Sequence, residues 1–248
     1  MLKITNNKII KLKKISSTQD YAKIIADKSD EGTIIITEIQ TKGRGRYERE
    51  WDSQKGGLYF SIILKPQINI NKTFIPTYKM ALAILDTLKY FVNKTELKLF
   101  LKWPNDIVIK CNNKYKKISG ILTESSIKKN KINWIVIGIG INANNKLPKS
   151  LNHIAISLKE ITKRNIKIEF IFSSLIKHFE KYYNKYPTNK VMEKYRENSI
   201  IPEVPITFIN NQNKYTGKIR KIRNDGGIEL TLSDRTKTIF YSGDVVLS

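Results

Sequence analysis

Apolar positions change their period several times along the chain, and each change marks an element. Ser16-Ser17-Thr18 precedes Tyr21, Ala22, Ile25 and Ala26, whose spacing predicts an amphipathic helix with a hydroxyl N-cap. The apolar run Thr33-Ile34-Ile35-Ile36 predicts a strand over 33–39, and GLYFSIILK predicts another over 57–65. Met80, Ala81, Ile84, Leu85, Leu88 and Phe91 recur at helical intervals and predict a long helix over 74–93. Short strands follow at 98–101 and 106–110, then a polar turn at Asn112-Asn113-Lys114 and a strand at 117–125. NWIVIGIGI, at 133–141, reads as a fully buried strand, and helices are predicted at 169–185 and 189–197.

Pro202 and Pro205 then break the pattern, because proline ends helices and stiffens linkers. Beyond them the periodicity is all-β, with strands at 204–209, 214–223, 227–232 and 236–241 and a hairpin signal at Asn224-Asp225-Gly226-Gly227. The expected organisation is therefore a larger domain over 1–201 and a small β-barrel over 202–248. No internal repeat is visible.

Composition narrows the classes. A chain of 248 residues with 40% hydrophobic content can bury a real core. No segment approaches the roughly 18 apolar residues of a membrane span. The N-terminal MLKITNNKIIKLKK lacks the apolar core and cleavage site of a secretory leader. Cys111 is the single cysteine, which fits a reducing cytoplasm. His153 and His178 are the only histidines, which excludes a His-rich metal site and disfavours a His-dependent triad. A net charge of +23 invites a nucleic-acid reading, but lysine, isoleucine and asparagine are abundant everywhere and no basic tail concentrates the charge. Such a surface would equally attract ATP or an acidic protein.

Chemistry concentrates in a few short motifs. Residues 40–51, QTKGRGRYEREW, place Gly43 and Gly45 among Arg44, Arg46 and Arg49 and close on Trp51. Glycine permits close approach of backbone and φ > 0, and arginine forks suit phosphate or carboxylate. The competing reading is a solvated basic loop between two strands. Residues 138–143 formally match the G-x-G-x-x-G/A dinucleotide fingerprint, yet the following Asn144-Asn145-Lys146-Leu147-Pro148 opens no helix to sit beneath a pyrophosphate. Lys102-Trp103-Pro104-Asn105-Asp106 gathers a cation, an amide and a carboxylate around a proline turn. No Walker A pattern occurs.

SSTQ at 16–19, QTKGRGRYEREW at 40–51, KWPND at 102–106, KISGIL at 117–122 and GIGINAN at 138–144 occur in the order found in biotin protein ligases. The chain closely resembles that family over nearly its whole length. The resemblance implies an α+β fold: a mixed-sheet catalytic domain of the class II synthetase type with helices packed on it, and a C-terminal SH3-like domain that includes Tyr241-Ser242-Gly243-Asp244. It implies ATP-dependent attachment of biotin, through biotinyl-5′-AMP, to a lysine of a carrier, the biotin carboxyl carrier protein of a carboxylase. Ser17, Thr18 and Gln40 match contacts to the biotin ring, and Gln19 stands where many members have asparagine. Arg44, Gly45 and Arg46 match the loop that closes over the adenylate and is expected to order over its ligand. Arg49 and Trp51 match positions at the phosphates and the adenine. Lys117 matches the lysine beside the biotin carboxylate and the α-phosphate, so Lys117 and Arg46 are the catalytic candidates. Gly120, Gly138 and Gly140 match backbone along the biotin slot. Asn105 and Asn142 fall near the nucleotide, where magnesium is expected, with Asp106 as its candidate ligand.

A lipoate–protein ligase is the nearest alternative, but its RRxSGGG-like motif is absent. A biotin-responsive DNA-binding regulator is the other. SSTQ begins at residue 16, which predicts the monofunctional type, without an N-terminal helix-turn-helix and without specific DNA binding. Strand edges leave a homodimer open.

Overall fold

Every residue from Leu58 to Leu64 is buried, so this strand needs cover on both faces. The computed structural model, which describes residues 2, 4, 8–93, 95–112 and 114–247, shows how the chain supplies it. Asn113, in the middle of the turn expected at 112–114, lies outside the described residues.

Seven strands form one mixed sheet. In spatial order they are β1 (Ile9–Ile15), β2 (Ile34–Gln40), β3 (Leu58–Leu64), β7 (Lys131–Ile141), β6 (Lys114–Lys128), β5 (Asp106–Cys111) and β4 (Lys98–Lys102). Only β1 and β2 run parallel; every other neighbouring pair is antiparallel. One face is covered by α1 (Thr18–Ile25), which together with Ala26 packs against Ile35, Ile63 and Val136. The opposite face, with Phe60, Ile62, Ile137 and Ile139, lies under α2 (Ile75–Val92), α3 (Leu158–Thr162), α4 (Ile168–Lys185) and α5 (Thr188–Glu197). Ser17 caps α1 by accepting from the Asp20 amide at 3.2 Å, as its position before the apolar period predicts. Pro76 sits in the first turn of α2, where its missing N–H costs nothing. No described helix is long and apolar enough to cross a membrane.

A second sheet follows, antiparallel throughout, in the order β11 (Lys237–Phe240), β10 (Ile228–Leu232), β9 (Asn213–Ile222), β8 (Ile206–Asn210) and β12 (Asp244–Val246). The 224–227 signal is the β9–β10 turn: Arg223 N–H donates to Gly227 O at 2.8 Å, and Gly226 takes φ 84°. The Gly226 carbonyl joins the two sheets. It accepts from Trp103 Nε1 at 3.0 Å and from the Tyr78 hydroxyl at 2.9 Å. The Trp103 ring lies 5.9 Å from that of Phe208, inside one continuous core.

The sequence pattern missed four features. β1 has three strongly basic positions, Lys11, Lys13 and Lys14, and reads as a charged segment; lysine on an edge strand discourages further pairing. β6 runs well past its apolar centre at both ends. α3 and β12 are five and three residues long, too short for a period to emerge.

Because Trp103 both fills the core and anchors the second sheet, Trp103→Ala should lower unfolding free energy by about 3–5 kcal/mol. Urea denaturation measures it; an unchanged midpoint would contradict this account of the junction.

Candidate active site

Gly120, Gly138 and Gly140 leave one face of the central strands without side chains. Gly120 and Gly140 are direct cross-strand partners, and Gly138 lies two residues along β7. On the same face of β7, Val136 packs under α1. A cavity of about 530 Å³ lies over this bare floor. Of the candidate residues named from the sequence, all but Ser17 line it. Ser17 is fully buried, and its hydroxyl is used as the helix cap.

Lys117 joins the floor through an irregularity. Residues three apart on a regular strand point to opposite faces. Here Ile107 pairs with Ser119 while Val108 pairs with Lys117, so Ile118 is an extra residue in β6. The bulge re-aims the following strand, as bulges do. Lys117 consequently shares a face with Gly120, where a Cβ would stand 3.0 Å from Lys117 Nζ. Its backbone is held by the 154–156 segment: Lys117 N–H donates to Ile154 O at 2.7 Å, and Ile156 N–H to Lys117 O at 3.0 Å.

One end of the cavity is a knot of neutral polar groups. Thr18 offers its N–H and hydroxyl to Gln40 Oε1 at 2.9 and 3.1 Å. The Thr18 hydroxyl also meets that of Ser61 at 2.9 Å, and Ser61 donates to Gln19 Oε1 at 3.2 Å. Gln40 Nε2 donates to Ser53 Oγ at 2.8 Å. Donors and acceptors are thus packed within a few ångströms in a buried setting, where each unmade bond is costly. Ser61 and Ser53 escaped the sequence reading. Ser61 did carry a signal, as the single serine in an apolar strand.

Residues 43–51 fold back over the floor as a small hairpin. Gly45 N–H donates to Arg49 O at 2.6 Å, and Trp51 N–H to Gly43 O at 2.9 Å. The expected glycine role is only half met. Gly43 and Gly45 are absent from the left-handed region, which Tyr47 (φ 54°) and Glu48 (φ 59°) occupy at the tip. Close approach is what these glycines provide: a Cβ on Gly43 would stand 2.6 Å from Ser53 Oγ, and one on Gly45 3.2 Å from Arg49 O. Trp51, the residue expected at the adenine, rests on the cavity floor. Its indole lies on Gly120 and Gly140, and its Nε1 is buried without a hydrogen-bond partner. The physical reason is the bare strand surface, which a flat ring can cover.

The other end is charged. Lys117 pairs with Asp106 at 2.6 Å and lies 5.0 Å from the Trp51 ring. Arg46 donates to Asn105 Oδ1 and to Gly243 O, both at 3.1 Å. Asp244 of β12 faces both Arg46, at 3.5 Å, and Arg49, at 2.7 Å. The second sheet therefore completes the cavity through Asp244, which the sequence placed only within the Tyr241-Ser242-Gly243-Asp244 segment of the second domain and not at the site. Half-buried Lys102 lines the same wall; burial pushes its ammonium below the usual lysine range, with Asp106 opposing. Asn142 is buried and accepts from Asn145 Nδ2 at 3.2 Å. No group of three or more His, Cys, Asp or Glu stands ready for a metal among the described residues. Magnesium needs no such group, since one or two carboxylates plus substrate phosphates hold it. Asp106 beside Asn105 fits that pattern.

Fold and site define an enzyme that binds a small molecule along exposed strand backbone, with a polar recognition end and an anion-binding end. Residues 12–142 match the biotin/lipoate A/B protein ligase family. The bifunctional ligase/repressor BirA of Bacillus subtilis is 33% identical over 243 residues, spanning 94% of this chain and 72% of that protein. The biotin–[acetyl-CoA-carboxylase] ligase of Mycobacterium tuberculosis is 26% identical over 87% of this chain and 79% of its own length. The solved biotin protein ligase from Aquifex aeolicus, in complex with biotin and ATP, superposes with a TM-score of 0.78 and 28% identity over 96% of this chain and 97% of that one. The chain belongs to the biotin/lipoate A/B protein ligase family.

Asp244 is the shared acceptor of two hairpin arginines. Asp244→Ala should therefore speed amide exchange at Gly45 and Trp51, the two N–H groups that close the hairpin. Hydrogen–deuterium exchange reads this; protection equal to that of the unaltered chain would remove Asp244 from the hairpin's support.

Proposed function

We infer that this chain is a ligase that uses ATP to attach biotin to a lysine of a carboxylase carrier protein, through biotinyl-5′-AMP. One observation carries the reading: a single slot joins the polar knot of Thr18, Gln19, Gln40 and Ser61 to Lys117 and Arg46 across a glycine floor. Biotin has matching parts. Its ureido ring carries both donors and an acceptor, its side chain is apolar, and its end is a carboxylate. The ring fits the knot, the apolar chain fits the floor from Gly138 to the edge of the Trp51 ring on Gly140, and the carboxylate fits beside Lys117. Thr18, Gln19 and Gln40 take the ring contacts in this reading, with Ser17 capping the helix that carries Thr18 and Gln19. Arg49, Trp51, Asn105 and Asn142 serve the nucleotide. A division at 201/202 makes the second sheet a separate small domain that closes the site with Asp244.

The first step brings two anions together. An oxygen of the biotin carboxylate bonds to the α-phosphorus of ATP, and the bond to pyrophosphate breaks. Two unit charges about 4 Å apart interact by about 1 kcal/mol in water and about 4 kcal/mol at an effective dielectric constant of 20, so fixed cations in a half-buried cleft matter. Lys117, Arg44 and Arg46 are placed to neutralise carboxylate and phosphoryl oxygens as charge shifts. Asp106 and Asn105 are the residues for magnesium, which when bound supplies charge to the departing pyrophosphate. In the second step the neutral amine of the carrier lysine attacks the acyl carbon and AMP leaves. Neither step needs a covalent nucleophile on the enzyme.

Finer parts of the reading are the biotin carboxyl carrier protein as acceptor, a homodimer formed through an open sheet edge, and a cytoplasmic site of action. The free thiol Cys111 supports a reducing compartment.

Incubation with ATP, magnesium, biotin and a carrier domain should add one biotinyl mass to the carrier. No gain with biotin, or a preferred gain with lipoate in competition, would overturn the substrate. Lys117→Ala should slow biotin-dependent pyrophosphate–ATP exchange by about 100-fold or more; near wild-type exchange would take Lys117 out of the first step. Arg46→Gly should let adenylate escape the hairpin, seen as free biotinyl-5′-AMP in the supernatant. Undetectable release would deny Arg46 that retaining role.

A further inference from the structure

We propose that Glu124 is a positioning residue that ties the ring-binding helix to the hairpin over the slot, acting through Gln19 and Arg44. The proposal rests on the biotin reading of the cavity, and Glu124 itself does not line that cavity.

Glu124 lies on β6, on the same face as Gly120 and opposite Val136 of β7. Its two oxygens collect donors from two separate parts of the site. Oε2 accepts from Gln19 Nε2 at 2.9 Å and from Arg44 Nη1 at 3.4 Å. Oε1 accepts from Lys23 Nζ at 2.8 Å and from Arg44 Nη2 at 3.4 Å. Asp20 is a second acceptor for Arg44 and lies 3.6 Å from Lys23. Two carboxylates and two cations thus close a balanced network at the slot's rim. Burial pushes the Glu124 carboxyl up, but hydrogen bonds from Lys23 and Gln19, with the charges of Lys23 and Arg44, outweigh it and hold the group below the usual carboxylate range. The side chain is 27% exposed.

Gln19 passes this constraint into the slot. Its Nε2 is fixed by Glu124 and by Val136 O at 3.3 Å, which leaves Oε1 to accept from Ser61. That oxygen stands over Gly138, 2.6 Å from where a Cβ would be. A free amide could turn end for end, because its oxygen and nitrogen are nearly equal in size. An anion on one side and a carbonyl on the other permit only the orientation with nitrogen outward. Gln19 therefore shows a fixed acceptor to the floor, and the Ser61 hydroxyl takes its donor direction from it. Arg44 receives the second half of the constraint, so the hairpin's first arginine and the helix share one anchor.

An exposed ion network that only stabilised the fold would contribute little, and its removal would leave ligand binding alone. The proposal predicts the reverse. Glu124→Gln keeps the volume, so its melting temperature should stay near that of the parent. Biotin affinity, measured by calorimetry, should fall about tenfold, as for loss of one charge-assisted hydrogen bond. Tryptic cleavage after Arg44 should become faster in the ligand-free protein. In a double-mutant cycle, Glu124→Ala should cost far less in a Gln19→Ala background than alone, because the shared path is already cut. Additive effects, or parental biotin affinity in Glu124→Ala, would overturn the proposal, and unchanged cleavage after Arg44 would overturn its hairpin arm. Failure of the unaltered chain to bind biotin would bring down the reading beneath it as well, so the two failures are distinguishable.

Discussion

A ligand can lie flat against strand backbone only where the strands carry no side chains on that face, and the cavity is built around that constraint. Gly120, Gly138 and Gly140 provide the bare surface, two of them paired across β6 and β7. Glycine inside a strand costs about 0.5–1 kcal/mol relative to alanine, so three of them weaken the strands that hold the site. The opposite face offsets this. Ile121, Ile137 and Ile139 alternate with the glycines and are buried beneath the helical layer. One strand thus does two jobs by alternation: its odd positions carry the fold and its glycines at even positions floor the cavity.

The second constraint is electrostatic. Anion-binding side chains have to be present and correctly aimed before an anion arrives. Apart from Lys102, the cations lining the slot are each paired with a carboxylate: Lys117 with Asp106, Arg46 and Arg49 with Asp244, and Arg44 with Asp20 and Glu124. The acids that hold the hairpin come from α1, β6 and β12, three separate elements around the cavity. The net charge of +23 obscures this, because it describes lysines spread over the whole surface while the slot is locally close to balance.

Much of the fold was legible because its periods are long. α2 and α4 are eighteen residues each, and β3 and β7 are strongly apolar. β1 was not legible, since lysines at an edge strand look like solvated chain. Within the site, residues inside ordered motifs could be named, and the cavity gathers all of them but Ser17. What the sequence hid was geometry that no spacing encodes. Strict alternation would place Lys117 and Gly120 on opposite faces, and only the bulge at Ile118 reunites them. Asp244 and Glu124 reach the site from strands far apart in sequence, with no local pattern to place them there. Trp51 stood at the end of a motif, yet where its ring rests depends on the bare floor beneath it.

Pairing cations in advance has a cost and a return that can be weighed. A phosphate or carboxylate entering the slot must displace a carboxylate from its arginine or lysine, so binding reflects the difference between two ionic contacts and is weaker than either alone. The return is geometric. An unpaired arginine on a hairpin would lose side-chain freedom on binding, about 0.5–1.5 kcal/mol for each rotamer-rich chain immobilised. Arg44, Arg46 and Arg49 have already lost it to Asp20, Glu124 and Asp244. A displacement of this kind also makes the anion's arrival known beyond the slot. If Arg46 and Arg49 turned to a phosphate, Asp244 would be released, and the Arg46 bond to Gly243 O would be exposed to the same competition. The second sheet is held from behind by Trp103 and Tyr78 through the Gly226 carbonyl, so it cannot drift far when that contact opens. Firm attachment on the core side and exchangeable attachment on the ligand side let one small sheet close the site without locking it.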